Sequence, residues 1–137
     1  MLRIYVDAAT KGNPGPSGGG IVIVGERIHD QIHVPLGECS NHEAEFRVLV
    51  QALQLLLEKN ETDQTIVIHS DSKIVVQTIE KSYAKNPLFQ PYLDTYHQLE
   101  TKFSLLLIKW IPESQNKGAD TLAKQALQKY KETNEEF

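Results

Sequence analysis

The chain has 137 residues, of which 40% are hydrophobic and 23% charged, and its formal net charge is −4. This composition is typical of a soluble globular protein, and the length predicts a single domain spanning residues 1–137. One cysteine excludes an internal disulfide, and no apolar run approaches the ~20 residues of a membrane span, so we expect a cytoplasmic protein without membrane contact.

The first third of the chain is predicted to form three antiparallel strands. Leu2–Val6 reads as a strand that ends at Asp7, and Gly20–Val24 is apolar on both faces, which is typical of a buried strand. Over residues 28–36, apolar and polar residues alternate, which indicates a strand with one face in water. Between the first two strands, Gly12–Gly20 contains five glycines and two prolines and is predicted to be a loop.

The rest of the chain alternates helices with two further strands. Helices are predicted over Asn41–Lys59, Ser72–Lys81, Tyr92–Thr101 and Ala119–Lys131, strands over Thr65–His69 and Ser104–Ile111, and a frayed tail over residues 133–137. Because a strand–helix–strand step implies a right-handed parallel crossover, the expected fold is α/β. It has a mixed five-stranded sheet, with the first three strands antiparallel, the last two parallel to the first, and helices on both faces.

Four acidic residues fall at strand ends and helix starts. Asp7 ends the first strand and Asp71 follows the fourth, whereas Asp120 opens the last helix. Glu45 continues the apolar stripe of the first helix. Each has an ordinary explanation, as an exposed acid, a helix cap or a favourable charge near a helix N-terminus. A favourable charge near the helix N-terminus explains Glu45 poorly, however, because Glu45 faces inward and carboxylates are rarely buried without a partner. Converging carboxylates need cations, and such hard oxygen ligands suit Mg²⁺ or Mn²⁺ rather than zinc.

Four short motifs, in order along nearly the whole chain, resemble type 1 ribonuclease H and its reverse-transcriptase-like bacterial relatives. They are VDAATKGNPG at Val6–Gly15, NHEAE at Asn41–Glu45, SDS at Ser70–Ser72 and NKGADTLA at Asn116–Ala123. Each motif alone is weak, but together they lie in register on the predicted elements. The resemblance implies a ribonuclease H-like fold and an endonuclease that hydrolyses the RNA strand of RNA–DNA hybrids, leaving 5′-phosphate and 3′-hydroxyl ends.

The resemblance also implies the site residues and the partner. Two Mg²⁺ ions, replaceable by Mn²⁺, would be held by four carboxylates: Asp7, Glu45, Asp71 and Asp120. Contacts with the hybrid would come from Gly12, Asn13, Ser40, Asn41, Ser72, Lys73 and Asn116. Such contacts position a nucleic acid rather than read its sequence. The protein is expected to act as a monomer on an RNA–DNA hybrid.

Several positions depart from the family pattern. His42 replaces a second asparagine beside Asn41, and the loop Pro112–Gly118 lacks the histidine that many members use to help product leave. Glu113 is the only titratable acid of that loop and is a candidate substitute. A catalytically weak or inactive hybrid-binding module on the same scaffold therefore stays open. A third interpretation, a 3′–5′ exonuclease with four acids, fits worse, because the Gly-Asn-Pro-Gly loop and Asn41 would have no role in it.

The net negative charge argues against a nucleic-acid partner, which usually has a basic footprint. The four proposed ligands account for all of the formal charge of −4, however. Bound cations would change the local field, so the net charge does not exclude a nucleic-acid substrate. His69 is predicted to be a packed or capping histidine rather than a catalytic base.

Overall fold

The computed structural model describes the backbone of residues 1–135 and the side chains of residues 1–130. In chain order its elements are β1 (Leu2–Thr10), β2 (Gly15–Val24), β3 (His29–Cys39), α1 (Asn41–Glu58), β4 (Thr65–Ser70), α2 (Lys73–Lys81), α3 (Gln90–Glu100), β5 (Leu105–Trp110) and α4 (Lys117–Glu135). Because α4 runs beyond its predicted end, residues 133–135 of the tail predicted to be frayed are helical. Residues 136–137 of that tail lie outside the described part of the chain.

The five strands form one mixed sheet in the order β3-β2-β1-β4-β5. The pairs β1–β2 and β2–β3 are antiparallel, whereas β4 is parallel to β1 and β5 is parallel to β4. The predicted mixed sheet is therefore confirmed. In this order, β1 lies at the centre of the sheet, between an antiparallel and a parallel neighbour.

Helices cover both faces of the sheet. On one face, Leu49 and Leu53 of α1 are buried in the main core with Ile21 of β2. On the other face, Val22 packs with Leu122 of α4 in a smaller cluster. Burying a side chain of this size contributes about 1.5–3 kcal/mol, so both faces of β2 contribute to stability. Within residues 1–135, no helix combines the length and the apolar character needed to cross a bilayer.

The predicted ends of the first two strands are wrong, and α4 explains the difference. β1 continues past Asp7 to Thr10, and β2 already begins at Gly15. Four of the five glycines predicted to lie in a loop, all except Gly12, are therefore paired in the sheet. A Cβ atom on Gly20 would collide with the carbonyl oxygen of Ala119, and one on Gly18 with the backbone of Leu127. The glycines therefore let α4 lie directly on β2.

Candidate active site

Three carboxylates meet where β1 and β4 separate. Asp7 of β1, Glu45 of α1 and Asp71 after β4 each offer one oxygen, and these oxygens lie within 4.8 Å of one another. Only 5% of Asp7 is exposed, so its charge is largely removed from water. Like charges at this distance repel. The cluster is therefore stable only when protons or cations offset its charge.

The local fold explains how these residues meet. The last residues that pair between β1 and β4 are Val6 and Ser70. The next residue along each chain segment is an acid, and these two acids, Asp7 and Asp71, lie beside each other. The N-cap of α2 is Ser72, whose hydroxyl accepts from the backbone N–H of Val75 at 3.3 Å. Asp71 is therefore not the helix cap, and the ordinary explanation for this acid is wrong.

The fourth predicted acid, Asp120, borders the cluster. Its carboxylate accepts a hydrogen bond from the Lys124 ammonium at 2.9 Å, and 40% of its side chain is exposed. Hydrogen bonding with Asp120 and its charge both contribute to a raised pKa of Asp7. The structure thus brings the four acids together as a tight group of three with Asp120 beside Asp7.

Burial dominates the electrostatics of the cluster. It is the largest of the causes that raise the pKa of Asp7 to about 7, and the charge of Asp71 is the next largest. The pKa of Glu45 is also well above its usual range, mainly because of burial and then because of the charge of Asp7. Burial raises the pKa of Asp71 as well, although a hydrogen bond from Asn116 opposes this. Without a cation, the cluster therefore retains protons near neutral pH.

The donor atoms of the cluster fit a hard divalent cation. Oε2 of Glu45 is buried and has no hydrogen-bond partner among the described residues. A buried carboxylate oxygen without a partner is costly, and a cation would supply the missing interaction. Since every candidate ligand atom of Asp7, Glu45 and Asp71 is a carboxylate oxygen, the site suits oxygen-seeking metals such as those that serve phosphate chemistry.

Six of the predicted substrate contacts form two walls beside the cluster. Gly12, Asn13, Ser40 and Asn41 make the first wall, and Ser72 and Lys73 make the second. The exposed ones are Gly12, Asn13, Asn41 and Lys73, and the half-buried ones are Ser40 and Ser72. On the first wall, Oδ1 of Asn13 accepts a hydrogen bond from the backbone N–H of Asn41 at 3.0 Å, which joins the β1–β2 loop to the start of α1. On the second wall, the Lys73 ammonium lies 5.2 Å from the centre of the Trp110 ring.

Asn116 differs from the other predicted substrate contacts. Only 1% of it is exposed. Its Nδ2 donates to the carbonyl oxygen of Val6 at 2.8 Å and to Oδ2 of Asp71 at 3.2 Å. The prediction placed it at the site, but the structure directs its side chain to protein groups rather than to an open surface.

Sequence reasoning missed two of the side chains that hold the start of α1, Tyr92 and Arg47. The hydroxyl of Tyr92 donates to Oε2 of Glu43 at 3.0 Å, and Nε of Arg47 donates to the same hydroxyl at 3.0 Å. Glu43 also closes a capping box with Ser40. The capping box is visible in the sequence as S-x-x-E, but the contact with Tyr92 joins distant segments that no local pattern connects.

Sequence reasoning also missed Lys124. With Lys117 and Glu113, Lys124 lines a cavity of about 260 Å³ beside Asp71 and Asp120. Its position four residues after Asp120 is the spacing of a helical ion pair and is the signal that could have found it.

The buried ring of His69 stacks on Tyr5, with the ring centres 4.4 Å apart, and its Nδ1 lies 3.1 Å from the carbonyl oxygen of Ile4. Burial lowers the pKa of this histidine. These contacts confirm that His69 is a packed histidine.

This sheet order, with its antiparallel and parallel pairs and helices on both faces, is that of the ribonuclease H fold. The model of the reverse transcriptase-like family matches residues 5–126, and the chain belongs to that branch of the type 1 ribonuclease H family. A protein of Enterococcus faecalis named "Putative hydrolase EbsB" is 66% identical over 130 residues, which cover 95% of this chain and 96% of that protein.

Two other relatives are named for the activity. A "Ribonuclease H" of Parvibaculum lavamentivorans is 28% identical over 145 residues, which cover 95% of this chain and 94% of that protein. The solved structure of LC11-RNase H1 in complex with an RNA/DNA hybrid is 27% identical, with a TM-score of 0.85, and covers 95% of this chain and 99% of that one. These relationships support a ribonuclease H enzyme.

Proposed function

We propose that this protein is an endonuclease that hydrolyses the RNA strand of RNA–DNA hybrids and leaves 5′-phosphate and 3′-hydroxyl ends. The observation that carries the proposal is the cluster of Asp7, Glu45 and Asp71, with Asp120 beside it, in a member of the ribonuclease H family. The hybrid bound to LC11-RNase H1 supports the same class of substrate for this chain.

We propose two Mg²⁺ ions as the cofactor, with Mn²⁺ able to replace them. Asp7, Glu45 and Asp71 would hold one ion, and Asp7 with Asp120 would hold the other. When bound to carboxylates, such ions activate water as a nucleophile and stabilise the oxygen that leaves phosphorus. The partnerless Oε2 of Glu45 and the all-oxygen donor set support this assignment.

The two walls beside the cluster would hold the hybrid. At the tip of the β1–β2 loop, Gly12 has a φ of +85°, which glycine adopts without strain, so the backbone there is open to a ribose. Asn13 and Asn41 lie next to it and would contact 2′-hydroxyls, the groups that distinguish RNA from DNA. Ser40 would contact the DNA strand, and Ser72 with Lys73 the minor groove.

The function is tested by incubating the purified chain with an RNA–DNA hybrid and Mg²⁺ or Mn²⁺, beside the variant Asp7→Asn. The RNA strand carries an internal label and is blocked at both its 5′ and 3′ ends, so only an endonuclease releases labelled fragments. Cleavage of the hybrid but not of the matched DNA duplex, lost in Asp7→Asn, supports the proposal. Failure of the wild type to cut with either ion overturns it.

A hybrid-binding module with little catalysis is the second candidate. It is favoured by His42, which stands where the resemblance implies a second asparagine, and by the loop Pro112–Gly118, which lacks the histidine that the resemblance implies. A wild-type protein that retards the hybrid in a gel shift but releases no fragments would favour this candidate.

We further propose a cytoplasmic monomer. All four acids come from one chain, so the site does not require a second copy, and RNA–DNA hybrids form where nucleic acids are synthesised. Light scattering after gel filtration should give the mass of one chain, with and without the hybrid.

A further inference from the structure

We infer that Asn116 is a positioning residue, which joins the three elements that carry Asp7, Asp71 and Asp120. It does not contact the substrate. The kinetic part of this inference rests on the proposed function, whereas the part that concerns metal affinity does not.

The first contact extends the hydrogen bonding of β1. Strand pairing between β1 and β4 stops at Val6 and Ser70, and the chain after β4 turns into α2. At this point, Nδ2 of Asn116 donates to the carbonyl oxygen of Val6 at 2.8 Å. A side chain from the start of α4 thereby holds the backbone immediately before Asp7.

The second contact fixes a carboxylate. The same Nδ2 donates to Oδ2 of Asp71 at 3.2 Å. A backbone carbonyl and a carboxylate are both acceptors, so the amide nitrogen of Asn116, not its oxygen, must face them. The side chain therefore links the Asp71 carboxylate to the strand that carries Asp7 and sets their separation.

The third contact involves the backbone of Asn116. Its carbonyl oxygen accepts from the N–H of Asp120 at 3.0 Å, which closes the first turn of α4. One residue thus touches all three acid-bearing elements. Its own Oδ1 is buried and has no hydrogen-bond partner in the described part of the chain. An unpaired buried acceptor is unfavourable. The hydrogen bonds that Nδ2 donates must therefore offset this cost and hold the amide in place.

The test compares Asn116→Leu, which keeps the size but removes the donors, with Asn116→Ser, which keeps one hydroxyl donor. Asn86→Leu is the matched control, because its side chain caps a 3₁₀ turn outside the site. Three quantities are measured: the melting temperature, the Mn²⁺ affinity by calorimetry without nucleic acid, and kcat and KM on the hybrid. Partners that orient metal ligands typically change affinity or activity ~10–100-fold when removed.

We expect Asn116→Leu to weaken Mn²⁺ binding and lower kcat ~10–100-fold, with KM changed by less than about twofold. Asn116→Ser should lie between Asn116→Leu and the wild type, and Asn86→Leu should match the wild type in Mn²⁺ affinity and kcat. If Asn116→Leu does not fold, Asn116→Ser carries the test.

Three outcomes would overturn the inference. A raised KM with unchanged Mn²⁺ affinity would make Asn116 a substrate contact. A lower melting temperature with unchanged Mn²⁺ affinity and kcat would make its role purely structural. A wild type that binds no Mn²⁺ would leave nothing for Asn116 to position. If the wild type binds Mn²⁺ but does not cut, the proposed function fails, and the metal measurements still decide the role of Asn116.

Discussion

Asp7 lies directly opposite Gly20 in the antiparallel pairing of β1 with β2. Because Gly20 has no side chain, the carbonyl oxygen of Ala119 occupies the space that a Cβ would fill. Asp120, the next residue of α4, therefore comes beside Asp7. A glycine in the sheet thus decides whether the fourth acid can reach the other three.

Gly20→Ala should destabilise the protein and impair the site. The added methyl group must displace the backbone of Ala119, and overpacking of this kind costs about 1–3 kcal/mol. Chemical denaturation measures the loss, and cleavage of the hybrid should fall because Asp120 moves with α4. Gly118→Ala is the matched control, since its Cβ would lie 3.8 Å from Val22, an ordinary contact. This control variant should be more stable than the wild type by about 0.4–1 kcal/mol. Equal stabilities for the two variants would contradict this account.

The metal-free protein should lose stability as the pH rises. The pKa of Asp7 is raised from 3.8 to about 7, so between these values the folded state binds more protons than the unfolded state. Stability is therefore full below pH 3.8 and falls as the pH rises towards 7, by on the order of 4 kcal/mol for an isolated group. The raised pKa values of Glu45 and Asp71 act in the same direction.

Urea unfolding at pH 5 and pH 7.5 in the presence of a chelator measures this dependence. Asp7→Asn should be more stable than the wild type at pH 7.5 and should show a weaker decline, whereas the exposed control Asp63→Asn should keep the decline of the wild type. A stability that increases over this range would contradict the raised pKa values.

The proximity of the four acids could be predicted from the sequence, because each acid belongs to a short motif at the boundary of a helix or strand, and local patterns place such boundaries well. The extent of β1 and β2 could not, because a run such as Gly18 to Gly20 has the composition of a loop, and only the packing of α4 requires it in a strand. The role of Asn116 depends on a contact with Val6 across 110 positions. No local pattern reports such a distance.

Divalent cations should stabilise the wild type but not Glu45→Gln. At pH 7.5, a ligand at 100 times its Kd stabilises by about 2.7 kcal/mol, which thermal melts with and without Mn²⁺ would detect. Without metal, Glu45→Gln should be at least as stable as the wild type, because a neutral amide needs neither the proton nor the cation that a buried carboxylate requires. Glu26→Gln, at an exposed position, should retain the response to Mn²⁺. A metal-dependent shift that survives in Glu45→Gln would exclude Glu45 as a ligand.

Tyr92→Phe should weaken substrate binding more than catalysis. The substitution keeps the ring, which stacks on Phe46 with ring centres 5.5 Å apart, but removes the hydroxyl between Glu43 and Arg47. Hydrogen bonds to charged groups contribute about 1.5–3 kcal/mol, so chemical denaturation should show a loss of this size. The start of α1 carries Asn41, a proposed contact with the RNA strand, whereas the metal-facing residue of the helix lies a full turn further on. KM for the hybrid should therefore rise while kcat changes little.

Tyr83→Phe is the control, because it removes a hydroxyl from a side chain that is 66% exposed, and it should match the wild type in stability. A Tyr92→Phe variant that also matched the wild type in stability would show that the hydrogen bonds of Tyr92 with Glu43 and Arg47 do not hold the start of α1.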